Sequence, residues 1–161
     1  MRGAAAGLLV LLALAARPTG AADWGLITPG TTTLEAVRAR YGQPTKTTPK
    51  KVDDYDTVEW AYEGVQAPVG TYRMTVEFGL LTADGYKKDV VRDFRLDPKP
   101  GSFNKKLILD GWGDPSRVGK DGDLEVFLYQ EGLLVYFDKE GWDVQTMVFT
   151  VPQPTSAVPQ R

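Results

Sequence analysis

The sequence predicts an α+β fold of two tandem repeats, each a short helical segment followed by an antiparallel β-meander. Three observations carry that prediction. Pro29 to Pro44 aligns without gaps on Pro100 to Pro115, sharing Pro-Gly-[Ser/Thr], an aliphatic residue at Val37 or Ile108, and aromatic-Gly-x-Pro at the end. Self-similarity at a fixed offset marks repeated supersecondary units. Each aligned segment also has helix punctuation at both ends, and each is followed by runs rich in aromatic and β-branched residues, which favour strands.

In chain order, Met1-Arg2-Gly3 precedes an apolar stretch from Ala4 to Ala16, then Arg17-Pro18 and small residues up to Ala22. This reads as a secretory signal peptide over 1–22, because the apolar stretch is shorter than the roughly 17 to 25 residues of a membrane-spanning helix. Cleavage would remove Arg2 and Arg17, leaving a chain more acidic than its formal net charge of -2.

The first repeat is expected over 23–99. Thr31 can cap its helix, Thr32 and Glu35 can form a capping box, Gly42 supplies a left-handed C-terminal residue, and Pro44 forbids continuation. Leu34, Val37 and Tyr41 then share one face, and strands follow near 57–63, 71–79 and 88–96. The second repeat is expected over 100–150, with Ser102 as cap and Phe103 and Leu107 on one face. Its strands fall near 124–130, 132–138 and 142–150, joined by Glu131-Gly132 and by Lys139-Glu140-Gly141. The tail 151–161 has three Pro and little to bury, so disorder is expected there.

The strand faces suggest what the chain does. Val58, Trp60 and Tyr62 alternate with polar residues, as do Tyr72, Met74, Val76 and Phe78, so the first meander has one apolar face. In the second meander both faces are apolar. Leu124, Val126 and Leu128 oppose Phe127 and Tyr129, while Leu133, Val135 and Phe137 oppose Leu134 and Tyr136. One face covers its own helix, and the other either packs on the first repeat or forms an aromatic docking surface for a protein. Phe127, Tyr129, Leu134 and Tyr136 are the candidate docking residues. The charged segment Lys46 to Asp56 is read as a solvated loop, or as a contact loop with Tyr55 and Asp54 as its candidates.

Composition narrows the chemistry. With no Cys and no His, the chain cannot form disulfides, a Cys- or His-ligated metal or haem site, a Ser-His-Asp triad, or an acylated N-terminal Cys. A small negative net charge gives no reason to expect nucleic acid. Asp53, Asp54 and Asp56 lack the spacing of a calcium loop, and Asp121-Gly122-Asp123 reads as a turn. Gly111-Trp112-Gly113 lies at a helix end, whereas a phosphate loop opens a helix. No metal, no cofactor and no enzyme activity are expected, since the carboxylates scatter over polar faces and turns.

Ile27-Thr28-Pro29-Gly30-Thr31-Thr32 through Val37, Tyr41-Gly42-Gln43-Pro44 and Trp60-Ala61-Tyr62 resembles the SmpA/OmlA (BamE-like) family of outer-membrane assembly lipoproteins. The second occurrence, Gly101-Ser102 through Trp112-Gly113-Asp114-Pro115, makes the tandem similar in arrangement to β-lactamase inhibitory proteins. The resemblance covers most of Trp24 to Thr150. It implies an envelope protein that binds another protein across a helix-plus-sheet surface. The expectation is thus an exported, periplasmic or secreted, non-enzymatic assembly or scaffolding accessory, without a transmembrane or lipid anchor and with a protein partner in the envelope. The alternative is a proteinaceous inhibitor of an extracellular or periplasmic enzyme such as a β-lactamase.

Overall fold

A computed structural model of the chain describes residues 21–152. The leader expected over 1–22 and the tail expected over 151–161 therefore fall almost wholly outside the described residues. The elements run in the order α1 (Leu34–Tyr41), β1 (Lys46–Val52), β2 (Tyr55–Glu63), β3 (Thr71–Thr82), β4 (Gly85–Pro98), α2 (Lys105–Trp112), β5 (Arg117–Asp121), β6 (Leu124–Tyr129), β7 (Leu133–Phe137) and β8 (Val144–Thr150). All eight strands belong to one antiparallel sheet, ordered β1-β2-β3-β4-β8-β7-β6-β5.

This corrects the expected fold class. In place of two α+β repeats there is, among the described residues, one mostly β layer with two α-helices of eight residues and a short 3-10 turn at Gly64–Gln66. The last strand, β8, inserts beside β4 through Asp93↔Thr150, Phe94↔Phe149, Arg95↔Val148 and Leu96↔Met147, so the two runs of strands merge edge to edge. The second run therefore does not stack on the first. Two strands were also missed: Lys46–Val52 and Arg117–Asp121 are the edge strands of the sheet rather than loops. Both are polar and neither shows apolar alternation, which is how exposed edges are kept from pairing with other chains. Pro49 and three lysines blunt β1.

The helices form where the sequence punctuates them, displaced by one or two residues. Thr33, not Thr31 or Thr32, caps α1 by accepting from the Ala36 N–H at 3.3 Å, and Asn104, not Ser102, caps α2 by accepting from the Leu107 N–H at 3.0 Å. Because α2 starts after Phe103, Leu107 turns outward and Ile108 is the side chain that is fully buried. Gly42 and Gly113 end the helices at φ 78° ψ −159° and φ 76° ψ −160°, a region that glycine alone occupies readily. They are thus extended rather than helical left-handed residues.

Directly paired residues in an antiparallel sheet share a face. Trp60, Val76, Phe94, Phe149 and Leu133 line up across β2, β3, β4, β8 and β7 in this way, with Tyr62, Met74, Leu96, Met147, Val135 and Phe127 in the next row. These side chains, with Val37 of α1 and Ile108 of α2, form one buried core on one side of the sheet. At its centre the Phe94 and Phe149 rings stack at 4.5 Å and 3°. On each side of that stack a strand tyrosine ties down a helix end: Tyr62 Oη donates to the Gly42 carbonyl at 3.1 Å, and Tyr129 Oη to the Gly113 carbonyl at 3.0 Å. The segment before α1 spans the sheet, its Ala22 N–H donating to the Glu131 carbonyl and its Gly25 carbonyl accepting from Tyr41 Oη.

Val37→Asp or Ile108→Asp places an unpaired carboxylate at a fully buried position, so each is expected to cost more than about 4 kcal/mol and to abolish the cooperative melt. Phe149→Ala removes half of the central ring stack and is expected to cost about 3–5 kcal/mol by urea titration. Burial pushes the Tyr62 and Tyr129 phenols up to about 12. The folded chain then holds those protons more tightly than the unfolded chain, so their contribution is intact below pH about 10 and lost as pH rises through about 12. Melting temperature should fall across that window, and the Tyr62→Phe/Tyr129→Phe double variant should show a shallower fall.

Candidate functional site

Both helices bury their apolar side chains on one face of the sheet, and the opposite face carries no helix among the described residues. That open face divides in two. Over β1 to β4 it is charged and internally paired: Lys50 with Glu59 at 3.2 Å, Arg73 with Glu63 at 2.8 Å, and Arg95 with Asp97 at 2.9 Å. A bulge in β4 skips Arg92, since Glu77 faces Asp93 and Phe78 faces Val91. Arg92 thereby reaches both Glu77 and Asp93.

Over β8, β7 and β6 the same face is aliphatic. Consecutive cross-strand partners run Arg95, Val148, Leu134, Leu128, Arg117 from β4 to the β5 edge. Beside them run Thr146, Tyr136, Val126 and Gly119. Leu128, Leu134, Tyr136 and Val148 are half-buried and Val126 is buried. Two arginines thus bracket the aliphatic row. Arg95 is held by Asp97, whose hydrogen bond pushes the guanidinium above its ordinary value. Asp97 is itself almost fully buried and accepts a second bond from Thr146 Oγ1 at 2.9 Å, joining β4 to β8 on this face. Arg117 is exposed and has no acidic partner among the described residues. At the end of the β4–β8 seam a recess of about 480 Å³ opens beside Asp97, between Tyr72, Pro98 and Gln145.

The structure separates the candidates named from the sequence. Leu134 and Tyr136 stand on the open face, but Phe127 and Tyr129 belong to the core, 5% and 6% exposed. The reason is a single residue of register. A two-residue Glu131-Gly132 turn would set Tyr129 opposite Leu134 and Phe127 opposite Tyr136. The loop instead has three residues, with Tyr129 paired to Leu133 and the Gly132 N–H donating to the Tyr129 carbonyl at 3.0 Å. One residue of slip exchanges the faces. Gly132 allows this at φ 97°, where a side chain would strike the Thr150 carbonyl.

Tyr55 and Asp54 sit at the tip of the β1–β2 hairpin, four strands from β7, and do not join Leu134 and Tyr136. Tyr55 stacks on Tyr86 at 4.3 Å, and the neighbouring Asp56 pairs with Lys51 at 2.9 Å, whose hydrogen bond and charge hold that carboxyl below its usual range. Among the described residues no group of three or more Asp, Glu, His or Cys side chains is placed to hold a metal ion. Val126, Leu128, Val148, Arg95 and Arg117 are the site residues that were not singled out. Val126 and Leu128 were visible as the alternate set to Phe127 and Tyr129, whereas the arginines needed the strand order.

No helix among the described residues is long and apolar enough to cross a membrane. No family model matches the chain, and no curated protein matches it. The crystal structure of a DUF4309 family protein, YjgB, from Bacillus subtilis is similar in fold, with a TM-score of 0.50 at 14% identity, covering 78% of this chain and 82% of that one. At that identity the likeness concerns the fold alone. It replaces the resemblance to the SmpA/OmlA family and to the β-lactamase inhibitory arrangement, because the shared motif describes a capped helix followed by a turn, a local form that unrelated sheets can carry.

Proposed function

We propose that the chain is an exported, non-enzymatic protein-binding module that docks a partner of the cell envelope on the open face of its sheet. One observation carries this reading: the half-buried Val148, Leu134 and Leu128, flanked by Tyr136, form a continuous aliphatic surface three strands wide with no described element over it. Contiguous apolar surface of this kind marks interaction sites on folded domains. The ion-paired half beside it would form a polar rim of the sort that surrounds interface cores. The pairing of its carboxylates with basic side chains also supports a binding role over acid–base chemistry. Export rests on the leader-like residues 1–22.

A second reading, a proteinaceous inhibitor of an exported enzyme, is favoured by the β2–β3 loop. Val65 and Val69 there are almost completely exposed, at 103% and 97%, on a loop anchored by Gln66 to Thr45 and to the Gln43 carbonyl. A rigid loop with apolar tips suits insertion into a cleft.

The test is affinity capture from envelope and secreted fractions of the native host, with the tagged full chain beside a Leu134→Ser/Tyr136→Ser variant. The variant is expected to melt within a few degrees of wild type and to lose at least ten-fold of a specific partner. A partner held equally by both overturns docking on this face. Loss confined to a Val65→Ser/Val69→Ser variant establishes the inhibitor reading instead.

A further inference from the structure

We propose that the leader is removed between Ala21 and Ala22, so that the exported chain begins at Ala22 with its α-ammonium held on the Glu131 carbonyl. The inference rests on the reading of residues 1–22 as an export leader and goes on to name the processing site. Sequence alone leaves two cuts open, because a leader ends on small residues at its last and third-last positions. Gly20-Ala21-Ala22 meets that requirement for a cut before Asp23, and Thr19-Gly20-Ala21 meets it for a cut before Ala22.

The folded chain distinguishes the two residues at this junction. Ala22 is 7% exposed and belongs to the core cluster, whereas Asp23 is exposed. The Ala22 N–H donates to the carbonyl of Glu131, in the β6–β7 loop, at 2.8 Å. Further bonds then fasten the segment ahead of α1. Trp24 and Ile27 exchange backbone bonds at 3.2 and 3.0 Å, Tyr41 Oη donates to the Gly25 carbonyl at 2.8 Å, and the Gly30 N–H donates to the Val91 carbonyl at 2.8 Å. Ala22 thus ties the segment that leads into the first helix to a loop of the second run of strands.

The two cuts act on that tie in opposite senses. Hydrolysis of the Ala21–Ala22 amide by a leader-cleaving protease adds a water, leaving a carboxylate on Ala21 and an ammonium on Ala22. The donor to Glu131 is then charged, and charge-assisted hydrogen bonds are shorter and stronger than those of a neutral amide. Hydrolysis of the Ala22–Asp23 amide carries the donor away with the leader. The new ammonium would sit one residue further along, about 3.8 Å by the spacing of successive Cα atoms. Nor can the charged side chain of Asp23 replace a buried methyl. Protease access points the same way, since the Ala22–Asp23 amide lies inside the fastened segment and the Ala21–Ala22 amide at its boundary.

The test is intact-mass measurement and N-terminal sequencing of the chain, expressed at full length in its native host and taken from the envelope and secreted fractions. Ala22 is expected as the first residue. Any other first residue of a shortened product overturns the assigned site while leaving export standing, whereas a chain that keeps its leader overturns the export reading along with it. A second comparison sets chains running from Ala22 to Arg161 and from Asp23 to Arg161 side by side in thermal melts. The Asp23 start is expected to melt about 2–4 °C lower. Equal melting overturns the Glu131 tie as the reason for the site.

Discussion

The β4–β8 seam is the constraint on which the rest of this protein depends. Four residue pairs join the two runs of strands, and each face of the seam carries its own clamp. On the core side the Phe94 and Phe149 rings stack, with Trp112 of α2 6.4 Å from Phe149. On the open side Asp97 gathers Arg95 from its own strand and Thr146 from β8. A carboxylate this deeply buried is tolerable only because its oxygens are satisfied, and satisfying them requires both strands to be in place. The seam therefore fixes register as well as attachment. It also sets Arg95 beside Val148 and so begins the row that ends at Arg117.

From the seam outward, the described helices cover the sheet on one side. Each helix of eight residues is too short to be stable alone, and its caps, its one fully buried side chain and a strand tyrosine at its terminal glycine hold it in place. Cation–π contacts reinforce this face, with Arg38 over Trp60 and Lys105 over Phe127 and Phe137. With the apolar face closed in this way, the opposite face is the sheet surface that no described element covers. Charges that neutralise one another over β1 to β4 leave the aliphatic half as the distinctive feature.

Much of this was legible in the residues, and the failures have physical causes. The six strands that line the core announced themselves by runs of aromatic and β-branched residues, which alternate with polar ones in β2 and β3, and both helices by their punctuation. The edge strands did not, because a strand that faces solvent on both sides has no reason to alternate. The fold class was misjudged since no local signal reports that the final strand inserts beside the fourth. Phe127 and Tyr129 stood as docking candidates beside Leu134 and Tyr136, and the third loop residue, Gln130, sets the register that places them on the core side instead. Arg95 and Arg117 lie 22 positions apart in sequence, and only the strand order brings them to the two ends of one row.

The position of β8 also governs when the fold can close. The strand nearest the C-terminus lies in the middle of the sheet, and its partner β4 ends at Pro98, with α2 and three further strands made in between. A chain emerging N-terminus first would present β1 to β4 with an unpaired inner edge until residues 144–150 had followed. Long-range pairing of this sort slows folding, because loop closure must precede the contacts that reward it. Until that last strand pairs, the Phe94–Phe149 stack cannot form, so the centre of the core is the last part of the protein to be completed.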